Sequence, residues 1–245
     1  MDNPLAKSTD SSRIHHLYRF KFGSGLEKTF EVILDAKSLA LLNHDQAPKP
    51  DWTKLKFSQC SNCPLGDSVE YCPVAVNLSR VVETFRDDNS FEQTTVTVET
   101  PQRTYSKSVQ LQKGISSLIG MIMVTSDCPI MDNLRPNARF HLPFASSLET
   151  FYRTVSMYFT AQYFLKQKGE KPDWDLSKLL DIYKAVGHVN KGMSQRLRDA
   201  SNKDANVNAV VILHSFGDGV SYFIEDGLSE IKDMFSIYFK ETEGV

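Results

Sequence analysis

The chain has 245 residues, enough for one large domain or two small ones with a sizeable core. Hydrophobic residues make up 41% and charged residues 24%, the balance of a globular protein. The 28 basic and 30 acidic side chains give a net charge of −2 without any Lys/Arg run, so a nucleic-acid partner is not expected. No segment approaches the run of about 18 apolar residues that reads as a membrane span, and no membrane partner is expected.

The first residues lack the basic and apolar regions of a secretory signal, and residues 1–13 read as a disordered leader. A cytoplasmic location follows as the expectation. Residues 14–22 alternate, with His16, Tyr18, Phe20 and Phe22 on one side. Residues 29–34 do the same, and Gly23 and Gly25 lie between, so a β-hairpin is predicted. Asp35 is placed to cap a short helix over 36–42, followed by a polar loop over 43–50. A third strand is expected over 53–57.

After Cys72 the period changes. Val74, Leu78, Val81, Val82 and Phe85 recur at helical spacing, with Pro73 suited to the first helical position. Residues 91–100 and 104–111 are read as a second hairpin around Pro101, and residues 114–126 as an apolar helix. Residues 147–168 carry Phe151, Tyr152, Val155, Tyr158, Phe159 and Phe164, which makes a helix apolar around most of its circumference. A further helix, with Asp173 or Asp175 as its cap, shows a stripe from Leu176 to Leu197. Residues 208–216 have the β-branched content of a strand, but the apolar positions keep one helical phase from Ala209 to Tyr238. One long helix is therefore expected there, with a kink at 217–219.

The predicted fold is α+β: N-terminal antiparallel hairpins with packed helices, followed by a C-terminal helical bundle. The expected division is a 14–130 unit, a connecting loop over 131–146 and a helical unit over 147–245. The all-round apolar helix and the long terminal helix suggest a homodimer through the C-terminal helices.

All four cysteines fall in two places. Cys60, Cys63 and Cys72 lie in one short stretch and Cys128 far downstream, and three of the four precede a proline. The two-residue gap between Cys60 and Cys63 is that of a chelating knuckle, and four thiolates complete a structural zinc site. A non-enzymatic binding or regulatory protein dependent on zinc is thus the leading reading. Its rival is an iron–sulfur redox protein or enzyme built on the same cysteines, although neither common ferredoxin spacing is present. A Cys60/Cys63 redox dithiol ranks below both, and the question of enzymatic activity stays open.

Around the fourth cysteine stand Asp127, Asp132, Arg135, Arg139 and His141, in a proline-studded loop. One reading is an anion-binding pocket, with Arg135 and Arg139 as a clamp and His141 as a proton donor; its small-molecule ligand is not specified by sequence. The favoured reading is a linker whose arginines pair with Asp127 and Asp132. His15 and His16 are adjacent on a strand and point to opposite faces, a poor geometry for chelation.

Overall fold

The computed structural model describes residues 10–44 and 48–239. The leader expected over 1–13 thus lies outside the described residues up to residue 9, as does the 45–47 part of the polar loop. Alternation of apolar and polar residues builds a four-stranded antiparallel sheet from β1 (Arg13–Phe22), β2 (Glu27–Asp35), β3 (Gln93–Glu99) and β4 (Thr104–Gln110), in the order β2-β1-β3-β4. In β1 the side chains of Ile14, His16, Tyr18, Phe20 and Phe22 all face inward and are buried. Tyr18 stands opposite Phe30 of β2 on one side and Val98 of β3 on the other, so a continuous apolar row crosses the sheet.

Two helices associate with this core. Pro73 begins α1 (Pro73–Phe85), and Phe85 packs edge-on against Phe20 with ring centroids 5.0 Å apart. Directly after β4 comes α2 (Leu111–Val124), which buries most of its residues. It approaches the sheet closely at Gly114, where a Cβ would lie 2.7 Å from Cγ2 of Val96.

The second half is helical: α3 (Ser147–Gln167), α4 (Ser177–Ala200), α5 (Ala205–Glu225) and the short α6 (Ser229–Lys232). A capping box starts α3, with the Ser146 hydroxyl accepting from the Glu149 N–H and the Glu149 carboxylate accepting from the Ser146 N–H. Asp173 organises the start of α4: its carboxylate accepts from the Ser177 hydroxyl, the Lys178 N–H and the Tyr158 hydroxyl. By length and composition alone α5 reaches what a membrane crossing needs, with a mean hydropathy of 1.3. In this fold it packs against α2, α3 and α4. The buried apolar side chains of sheet and helices form one connected core.

Three sequence expectations need correction. No helix forms over 36–42, because the Asp35 carboxylate accepts from the N–H groups of Lys37 and Ser38 and turns the chain locally. No strand forms over 53–57. A 3₁₀ turn, Asp51–Thr53, and a single bridge between Lys54 and Tyr71 stand there instead. The terminal segment is helical, as expected, and runs unbroken through 217–219, but the helix ends at Glu225; the backbone turns left-handed at Gly227 and Leu228 before α6.

The reason for the missing strand lies far away in sequence. Arg196 of α4 is 1% exposed, and its guanidinium donates to the carbonyls of Trp52, Lys54 (2.6 Å) and Leu55 (3.2 Å). Carbonyls that a sheet partner would occupy are thereby satisfied by a side chain.

Candidate functional site

The expected four-cysteine centre does not form. Among the described residues no group of three or more His, Cys, Asp or Glu side chains could hold a metal ion, which overturns the structural zinc site and its iron–sulfur alternative alike. The sulfurs share a neighbourhood, since Cys63, Cys72 and Cys128 all act electrostatically on Cys60. Cys60 rests against α4, 3.9 Å from the Val189 carbonyl, and burial pushes its thiol up to about 11. Cys72 is the buried residue preceding α1. Burial also raises the Cys128 thiol, against the pull of the Met131 and Ile130 N–H groups. All four are free thiols.

The seat of Cys60 depends on Gly192, where a Cβ would lie 2.7 Å from the Cys60 sulfur and 3.2 Å from its Cα. Gly192→Ala should therefore lift the cysteine loop from α4 and cost about 1–3 kcal/mol, the usual toll of overpacking. Urea unfolding measures it, and an unchanged midpoint would show that the loop is not held there.

The 127–146 loop divides into two parts. Arg135 pairs with Asp127 at 2.8 Å and also with Asp132, at the start and within the 3₁₀ segment Met131–Ala138. Both carboxylates and the guanidinium are thus engaged with one another. Arg139 is placed elsewhere, exposed near the Phe140 ring and acting electrostatically on His16. His141 is drawn inward. Its Nε2 lies 2.7 Å from the Tyr18 hydroxyl and 3.2 Å from Oγ of Ser117, on α2.

These contacts sit at the wall of a cavity of about 560 Å³ bounded by α2, α3, α4, α5 and the 127–146 loop. Its size is that of a small-molecule site. Met121, Leu134, Leu142, Phe144, Leu213 and Phe216 supply apolar lining. Its polar lining includes His141, Ser117, Arg153, Thr154, Tyr183 and Asn190, with Lys107, Lys113 and Glu149 also on the wall. Arg153 projects from α3, and its one hydrogen bond is a long one to the Asn137 carbonyl at 3.4 Å; its Nε has no partner. No carboxylate forms an ion pair with it among the described residues, and burial lowers its pKa. The Oδ1 of Asn190, itself 2% exposed, also lacks a partner. Buried polar atoms without partners are uncommon, and these two belong to residues on one cavity wall.

The histidine is not set up as a catalytic base. Burial, then His16 and Arg153, holds its pKa well below the ordinary value, so the ring is neutral. Burial also raises the pKa of Tyr18, which keeps the hydroxyl beside Nε2 protonated. No carboxylate contacts the imidazole among the described residues, so the orienting partner of a nucleophile relay is missing.

A second cavity, of about 400 Å³, shares His141, Leu142 and Arg153 with the first. It opens beside the β3–β4 turn, and His16 from the inner face of β1 forms part of its wall. Burial and Arg139 lower the His16 pKa to about 4.

Of the sequence candidates, His141 lines both cavities and Arg139 the second, whereas Asp127, Asp132 and Arg135 form their own cluster. Sequence reasoning missed Tyr18, Ser117 and Arg153. Arg153 had a readable signal, as a cation among Phe151, Tyr152, Thr154 and Val155 in a largely apolar helix.

No curated protein and no solved structure matches the chain. A family model, described as a domain of unknown function (DUF6901), matches residues 16–236. Since the match spans the sheet, both cavities and nearly all of the helical half, the chain belongs to the DUF6901 family.

Proposed function

We propose that this protein binds a small amphipathic anion in the cavity among its helices, with the apolar body against α2 and α5 and the charged group at Arg153. The observation that carries this reading is the Arg153 guanidinium, held at an otherwise largely apolar cavity wall with no carboxylate partner among the described residues. Glu149 acts on it electrostatically without forming an ion pair, and a buried cation that lacks an ion pair is costly, so an incoming anion offsets that cost with charge-assisted hydrogen bonds. Asn190, Thr154 and the neutral His141 add polar contacts without adding negative charge.

The test uses decanoate and decanol as probes with the full chain. Decanoate is expected to bind, and to raise the melting temperature, more strongly than the neutral alcohol. Arg153→Met should weaken decanoate at least tenfold, which corresponds to about 1.4 kcal/mol. Arg135→Ala should leave it unchanged, because that guanidinium is engaged with Asp127 and Asp132. Equal binding of acid and alcohol, or full affinity in Arg153→Met, would reject the assignment.

A further inference from the structure

Resting on the amphipathic-anion reading, we infer that the second cavity is a head-group site for a phosphate monoester, held by Arg103, Arg139 and Arg153 with His16 at its base.

The cavity wall carries three arginines and no carboxylate. Arg103 has only a long contact with the Tyr105 hydroxyl, 3.5 Å, and Arg139 only the ring of Phe140, so neither is neutralised by an ion pair among the described residues. Cations gathered without counter-charge repel one another, and a dianion relieves all three at once. Guanidinium groups are also the side chains best matched to phosphate oxygens, since each offers two parallel donors.

His16 gives an independent indication. It is 4% exposed, it lines this cavity, and its Nδ1 has no hydrogen-bond partner. A ring nitrogen buried on the inner face of a strand, among Ile14, Tyr18 and Phe20, needs a reason to be there. A phosphate oxygen at the cavity floor supplies its missing partner. His141, Leu142 and Arg153 line both cavities, which places the head site next to the body site.

Calorimetric titration of the full chain with decyl phosphate, decanoate and inorganic phosphate tests this. Decyl phosphate should bind at least tenfold tighter than decanoate, and inorganic phosphate should compete with it weakly. In the Arg103→Gln/Arg139→Gln double variant, whose changes fall on exposed side chains, decyl phosphate should lose at least tenfold and decanoate less than twofold. Equal affinities for the two decyl probes, both untouched by the double variant but weakened by Arg153→Gln, would overturn the phosphate site and leave the amphipathic-anion reading standing. Inorganic phosphate binding as tightly as decyl phosphate, and lost in the double variant, would support the phosphate site and reject the apolar body site. Failure of all three probes to bind would overturn both.

Discussion

Replacing Arg196 with methionine is expected to lower the unfolding free energy by about 3–5 kcal/mol. Methionine retains much of the aliphatic stem, so lost packing is a small part of the effect. The larger part is the desolvation of the Trp52 and Leu55 carbonyls, which lose the guanidinium that satisfies them, while the Lys54 carbonyl keeps the Phe57 N–H. Each buried group left without a partner costs roughly 1–3 kcal/mol. Lysine should not rescue the protein, because a single ammonium cannot present the planar fork that reaches three carbonyls. Urea unfolding of the wild type, Arg196→Met and Arg196→Lys provides the measurement. For a chain of this size the melting temperature should fall by on the order of 10 °C. A loss below about 1 kcal/mol would mean that water reaches those carbonyls once the arginine is gone.

Acidification should destabilise the protein well before its carboxylates titrate. His16 has a folded pKa of about 4, against about 6.5 for an unfolded histidine. The unfolded chain therefore binds the extra proton across pH 4–6.5, and stability falls as pH drops through that window. The difference amounts to roughly 3 kcal/mol when fully expressed below pH 4. His141, also held neutral, acts in the same direction. The charged and titratable groups that act on or pack against His16 are Arg139, His15 and His141, and no acidic group among the described residues is found to offset the effect. Unfolding free energies at pH 7.5 and 4.5 should differ strongly in the wild type and less in His16→Gln. The same pH dependence in that variant would assign the effect to other groups.

Much of the fold was legible because short-range periodicity decided it. The inward row of β1, the two hairpins and the helices from α1 to α5 all follow residue spacing that tertiary structure did not override. The failures have two physical origins. Asp35 accepts from the backbone N–H groups ahead of it as a cap would, but it caps no helix, because Leu39 adopts a left-handed backbone and closes a turn. The 53–57 segment was decided by Arg196, more than 140 residues away, which no local window contains.

The candidate site was legible only in part for the same reason. His141 and Arg139 stood out because they lie in one loop with proline and charge. His16, Tyr18, Ser117 and Arg153 belong to three other elements, and nothing in sequence spacing brings them to that loop. The cysteines misled by their regularity. Proline after cysteine suggested sulfurs fixed for an ion, whereas Pro73 serves as the first residue of α1 and Cys60 as a packing contact for α4.

The tie from Arg196 to the 52–55 carbonyls also bears on how the chain reaches this state during synthesis. The whole sheet and its two helices precede residue 196 in the chain, so the Trp52 and Leu55 carbonyls cannot gain this partner until α4 has been made. The cysteine loop, which α4 seats through Arg196 and Gly192, is therefore completed by the second half of the chain.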